Sequence, residues 1–182
     1  SGWITTYMGK RFYPLDPRPE DVDIRDIAHA LSLICRYGGH TRRFWSVAQH
    51  SLAVSRWVEQ RRPIEALPAL LHDAAEAYLC DLPRPVKQAV VGYSTAEARV
   101  ESAIIQALGT PLSGELVREA DSRILADEIR ALWLPVGKWP EPLSVEPLGV
   151  EVEYGRSPSD VEDDFLAAYV RLSGWDPLEV YS

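Results

Sequence analysis

A histidine and an aspartate sit side by side inside an apolar, alanine-rich run, LLHDAAEAYLCDLPRPVK, at His72 and Asp73. Burying adjacent ionisable side chains is expensive, and a bound metal ion is the commonest offset. Glu76 follows Asp73 after three residues and Asp81 after eight. A second histidine with helical surroundings, His50 in SVAQHS, stands 22 residues before His72. Together these residues point to a metal-dependent hydrolase rather than to a featureless helical domain.

Length and composition bound that reading. The 182 residues suffice for one domain with a real core, and a single domain over 1–182 is expected. A content of 46% hydrophobic and 25% charged residues is ordinary for a globular fold. No apolar run reaches the roughly 18 residues of a membrane span. No basic-then-apolar leader pattern is seen, so a cytoplasmic location without membrane partners is expected. A net charge of −8 argues against a nucleic-acid polymer as partner, but leaves a small phosphorylated substrate open. Cys35 and Cys80 lack metal-site spacing and read as buried or half-buried thiols.

Patterning predicts a mainly α protein. Residues 3–15 mix β-branched and aromatic residues around Gly9, which suggests a short β-hairpin. Apolar residues at helical spacing (Ile24, Ile27, Ala28, Leu31, Ile34) predict a helix over 23–34, stopped by Gly38-Gly39. Ser46 is the expected N-cap of a helix running to about Gln60. The next helix starts near Pro63-Ile64 and runs past Glu76, with Pro68 as a kink or late start. Leu82-Pro83-Arg84-Pro85 leads into a short helix around 86–90. A capping box of Ser94 and Glu97 opens a helix to Leu108. An amphipathic helix over 114–134 and a last one over 159–172 flank a proline-rich excursion or lid, about 135–158, with room for one short strand.

The faces of these helices carry the chemistry. His50 shares a stripe with Val47, Val54, Trp57 and Val58, so it is a metal ligand or a hydrogen-bonded core histidine. Asp73 and Glu76 share a face with Ala66, Ala69, Leu70 and Ala77, where carboxylates are seldom decoration. In a regular helix His72 points about 100° away from Asp73, so one ion reaches both only over the edge between their faces. A further ligand is needed, and the 114–134 helix offers Asp121, Asp127 and Glu128. Asp121 lies on the inward stripe with Val117, Ala120, Ile124 and Leu125, and is chosen. Asp127, between Arg123 and Arg130, reads as a solvated ion-pair residue whose replacement by alanine is expected to be nearly silent. His50, His72, Asp73 and Asp121 make a mixed nitrogen and oxygen set suited to Co, Mn, Zn, Fe or Ni rather than Ca or Mg.

The order His50, then His72-Asp73, then Asp121 resembles the H…HD…D signature of the HD-domain metal phosphohydrolase superfamily. SVAQHS, HDAAEAYLCDLPRPVK and EADSRILADEIRAL resemble most its 5′-deoxynucleotidase branch and the phage-type HD deoxynucleotide hydrolases. The resemblance covers roughly residues 24–135. It implies an all-α HD-domain bundle of about 6–7 helices around one metal, with the small hairpin added at the N-terminus. It also implies that Glu76 manages the proton of the attacking water and that Asp81 acts near the leaving oxygen or sugar, unless Asp81 is only an N-cap. Arg36 and Tyr37 match an Arg-Trp pair ahead of the first histidine, which would clamp phosphate and pack on the sugar. The spacing differs by about one residue, and Tyr replaces Trp. Lys87, like Arg84, either supplies charge to phosphate or is a solvated surface cation. His40, Arg42 and Arg43 lie in a loop that is either a polyphosphate cover or plain surface.

The implied substrate is a small-molecule deoxynucleotide. The expected reaction hydrolyses the 5′-phosphate ester of a dNMP to deoxynucleoside and phosphate. Release of triphosphate from a dNTP is the alternative within this class, a cyclic-nucleotide or alarmone hydrolase a further one, and a non-catalytic nucleotide-binding module the alternative outside it. Members of the superfamily often assemble, and Trp133, Leu134 and Trp139 offer apolar faces for a homo-oligomer.

Overall fold

The computed structural model of the chain describes residues 2–133 and 145–178. Two short strands, β1 (Ile4–Thr5) and β2 (Arg11–Phe12), pair antiparallel with Ile4 opposite Phe12. Gly9 takes φ 76° in the turn between them, a left-handed conformation that a side chain would strain. Phe12 is fully buried and stacks on Tyr78 at 3.7 Å, which anchors the hairpin to the helical body.

Eight α-helical segments follow among the described residues: α1 (Ile24–Leu33), α2 (Val47–Glu59), α3 (Ala66–Leu71), α4 (Glu76–Leu79), α5 (Arg84–Ala89), α6 (Tyr93–Leu108), α7 (Glu115–Leu132) and α8 (Pro158–Ser173). Counted as one broken helix, α3 and α4 bring the bundle to seven. The expected all-α architecture with an N-terminal hairpin is therefore the one observed. Asp23 caps α1 by accepting from the Arg25 amide. Ser46 and Gln49 form a reciprocal capping box on α2. Gly174 ends α8 in the left-handed conformation.

Helix α2 is the axis of the bundle and packs against α1, α3, α7 and α8. One side of it joins Ile27 and Leu31 of α1, Leu70 and Leu71 of α3, Ile104 of α6 and Phe165 of α8 in the main core. Its other side (Val54, Trp57, Val58) packs on Ala69 and on Val117, Ala120 and Ile124 of α7. Glu65 accepts from the Leu116 amide and so caps α7 from the start of α3. A β-carbon at Gly114 would fall 2.2 Å from that carboxylate, so glycine there makes the cap sterically open.

Several expectations change. The long helix through His72 is interrupted: α3 stops at Leu71 and turns carry the chain to Glu76. Helix α6 begins at Tyr93 behind Gly92 (φ 86°), with no side-chain cap, and Glu97 pairs with Lys87 instead of closing a capping box on Ser94. Cys35 is half-buried as expected, but Cys80 is exposed at φ 66°. Residues 145–157 form no strand. They are nevertheless tied down, because Val152 packs on Trp45 and Leu132, and Gln49 donates to the Glu153 carbonyl. Residues 134–144, including Leu134 and Trp139, lie outside the described residues, while Trp133 packs edge-on against Tyr37. No helix among the described residues is long and apolar enough to cross a membrane.

Asp127 is the clearest correction. It is 9% exposed and accepts from the amides of Leu148 (2.7 Å) and Gly149 (3.0 Å), in place of the solvated ion pair expected from its neighbours. Arg123 turns instead to Glu119 and to the carbonyls of Glu146 and Pro147. Two main-chain amides would lose their acceptor in Asp127→Ala. The variant should therefore be less stable by roughly 2 kcal/mol, read by chemical denaturation, with metal retention unchanged.

Candidate metal centre

His50 comes from the first turn of α2, His72 from the end of α3 and Asp121 from the second turn of α7. Their ligand atoms all lie within 4.8 Å of one another. His50 Nε2 is 3.2 Å from His72 Nε2 and 3.1 Å from Asp121 Oδ1. Asp73 borders the same space, with Oδ2 3.3 Å from His72 Nε2 and 3.7 Å from His50 Nε2.

The break between α3 and α4 makes this possible. After Leu71 the amides of Ala74, Glu76, Ala77 and Tyr78 bond to carbonyls three residues back. That tighter winding eclipses residues three apart, so Glu76 stands over Asp73. The polar pair is thus lifted out of a regular helix and set at the edge where both side chains reach one point.

Hydrogen bonding decides which ring nitrogens face the centre. His72 Nδ1 lies 2.7 Å from the Ala69 carbonyl, which can only accept, so Nδ1 carries the proton. His50 Nδ1 lies 2.7 Å from Glu128 Oε1, an oxygen that also accepts from the Trp45 indole at 2.8 Å. In the neutral form of each ring Nε2 is then a lone pair, and the two face each other and two carboxylates. That neutral set repels itself unless a proton or a metal cation lies among its members. Each imidazole held from behind by an acceptor is the usual support of a metal-ligating histidine. Two imidazoles and one or two carboxylates suit a divalent transition ion.

The electrostatics agree. Burial favours neutral imidazoles, yet Asp73 and Asp121 outweigh it at His72 and hold its pKa well above the ordinary value. His50 is raised as well, with burial and Arg36 opposing Glu128 and Asp121. Asp73 and Asp121 are both pulled below the usual carboxylate range by the two histidines, against their burial. Glu76 moves the other way: burial, with Asp73 and Asp81 beside it, pushes it up to about 10. Its Oε2 is buried without a partner among the described residues. Asp81 is also raised, by burial first and by Asp73, with Arg36 opposing.

Other residues singled out in the sequence fall at varied distances. Arg36 borders the cluster, 3.5 Å from Asp73 and 3.5 Å from Glu128. Tyr37 sits at φ 59° with its hydroxyl bonded to Glu128. Lys87 is paired with Glu97, and only its long-range field reaches Glu76 and Asp73. In the 40–43 loop, His40, Arg42 and Arg43 are exposed; Arg42 donates to the Ala131 carbonyl and Arg43 lies over the Tyr154 ring. His29 is remote from the centre, stacked on Tyr7 and bonded to Glu162. Glu128, which the sequence reading sets aside in favour of Asp121, stands seven residues, two helical turns, further along the same inward stripe. It is fully buried, and burial is the property that its charge conceals.

A helical bundle enclosing a His, His and Asp cluster defines a metal-binding site of the kind found in metal-dependent hydrolases. No family model matches the chain. It is 41% identical over 140 residues to "Uncharacterized protein YfdR" of Escherichia coli (strain K12), covering 76% of this chain and 77% of that one. It is 39% identical over 116 residues to "Uncharacterized protein RCAP_rcc00048" of Rhodobacter capsulatus, covering 60% of this chain and 59% of that one. The chain belongs to the family of the Escherichia coli protein.

His72→Ala and Asp121→Ala should each lose stoichiometric Mn or Co, measured by elemental analysis after gel filtration. Metal uptake must also displace protons from the histidines. Because His72 is raised above its ordinary value, affinity should climb with pH and fall on acidification, starting above about pH 6.5. A chelator competition that gives a flat pH profile would contradict this.

Proposed function

We propose that this protein is an HD-domain phosphohydrolase that hydrolyses the 5′-phosphate ester of deoxynucleoside monophosphates to deoxynucleoside and phosphate. The observation that carries the reading is the pair of imidazole Nε2 atoms facing each other and Asp121 beside an unpartnered Glu76 carboxyl oxygen. The order of His50, His72-Asp73 and Asp121 and the LPRPVK segment after Asp81 favour the deoxynucleotide substrate. So does Arg36, a cation at the edge of a site otherwise rich in carboxylates.

His50, His72, Asp73 and Asp121 would hold the ion. A divalent ion there supplies Lewis-acid chemistry: it acidifies a water, draws charge from a phosphoryl oxygen and offsets the carboxylate repulsion felt by Glu76. Glu76 takes the proton of the attacking water on Oε2 as the oxygen–phosphorus bond forms. Arg36 orients the phosphoryl oxygens and stabilises their growing charge. Asp81 works at the departing 5′-oxygen or the sugar hydroxyl. The bond from phosphorus to the 5′-oxygen breaks, and the 5′-oxygen takes up a proton equivalent to the one that Glu76 removed from water, so the deoxynucleoside leaves as an alcohol.

Product analysis on dNMPs, dNDPs and dNTPs with Mn or Co tests the reading, with free phosphate from the monophosphates as the expected result. Triphosphate released from a dNTP would replace it with the triphosphohydrolase reading. No turnover of any nucleotide would favour a binding module. Glu76→Gln should keep its metal and lose roughly 10²–10⁴ in kcat; near-normal turnover would remove Glu76 from the chemistry.

A further inference from the structure

Glu128 sits at the back of the metal cluster, fully buried, and draws in donors from three segments of the chain. Its Oε1 lies 2.7 Å from His50 Nδ1 and 2.8 Å from Trp45 Nε1. Its Oε2 accepts from the Tyr37 hydroxyl and lies 3.5 Å from Arg36 Nε. Indole and guanidinium nitrogens only donate, so this carboxylate is purely an acceptor and His50 has to present Nδ1–H to it. In the neutral ring His50 Nε2 is then fixed as the lone pair that points to Asp121 and His72.

We propose that Glu128 is the positioning residue that couples the metal centre to the phosphate clamp, one oxygen setting the tautomer of His50 and the other holding Arg36 and Tyr37. Its part in the clamp rests on the phosphohydrolase reading; its part in the metal centre does not. The same contact reassigns Tyr37. Its hydroxyl is committed to Glu128 and its ring packs edge-on against Trp133, so it braces Arg36 instead of lying free for a sugar. A tyrosine carries a hydroxyl to Oε2 from that ring position, which explains why this chain can use tyrosine in place of the tryptophan of an Arg-Trp pair.

Glu128→Leu removes both acceptor oxygens at similar volume. His50 Nδ1 loses the acceptor that holds its proton, so Nε2 is no longer fixed as the lone pair toward the centre. Glu128→Gln is the conservative control, because its carbonyl can keep the Oε1 place against the Trp45 indole and His50 Nδ1–H. The chain, stripped by chelator, is titrated with Co alone in the wild type, Glu128→Leu, Glu128→Gln and Trp45→Phe. Glu128→Leu should bind Co about 10–100-fold more weakly, with an altered visible absorption spectrum of the bound ion, and Glu128→Gln should restore most of the affinity. Trp45→Phe loses the other donor to Oε1 but leaves the His50 contact, so it should lose thermal stability and keep near-normal Co affinity. For the clamp, Tyr37→Phe should raise KM for a dNMP several-fold while Co affinity holds. Wild-type affinity and spectrum in Glu128→Leu would overturn the proposal. So would equal weakening in Trp45→Phe, which would mean that metal loss follows packing. A wild type that binds no Co would remove the metal reading itself, and the proposal with it.

Discussion

Two imidazole nitrogens 3.2 Å apart, each with its proton committed to an acceptor on the far side of its ring, form the constraint around which the bundle is organised. The arrangement is unfavourable in isolation. It persists because the Ala69 carbonyl and the Glu128 carboxylate hold the rings from behind, and because α1, α3, α7 and α8 fix α2 through close-packed apolar faces. The core keeps four ionisable side chains within a few ångströms of one point. With the rings neutral, their lone pairs and the carboxylates are together available to a cation.

The local irregularities of the chain serve the same geometry. The interruption between α3 and α4 lets neighbouring residues His72 and Asp73 border one space and stacks Glu76 over Asp73. Tyr37, at positive φ, and its neighbour Arg36 both reach Glu128 Oε2. Departures from regular backbone gather where chemistry is proposed, while α6 and α8, away from the cluster, are uninterrupted.

Helix α7 shows how far a periodicity argument reaches. Asp121, Asp127 and Glu128 lie within eight residues of one another. The stripe through Val117, Ala120 and Ile124 selects Asp121 as inward-facing, and the structure brings it to the two histidines. The same stripe extends to Glu128, but a glutamate there reads as surface until its four partners are seen. Asp127 reads as a solvated ion-pair residue because its arginine neighbours are visible in sequence, whereas the amides of Leu148 and Gly149 that it binds are not. The partner of Lys87 is hidden for a similar reason, since Glu97 is on a different helix. Local pattern reports which side of a helix is buried; it cannot report which distant polar group is waiting there.

By itself the sequence determined the helical class, the hairpin, the cap at Ser46 and the pairing of His-Asp with an earlier histidine, because each is written in spacing over short stretches of chain. The tertiary structure alone decided where α3 breaks, which nitrogen of each imidazole faces the centre and which acidic residue of α7 supports it from behind. The break and the His72 ring turn on bonds only three residues apart, chosen over regular helical ones by the surrounding packing. The His50 ring and the choice of Glu128 depend on partners more than 70 residues apart, His50 with Asp121 and Glu128, which only the folded packing of α2 on α7 brings within reach.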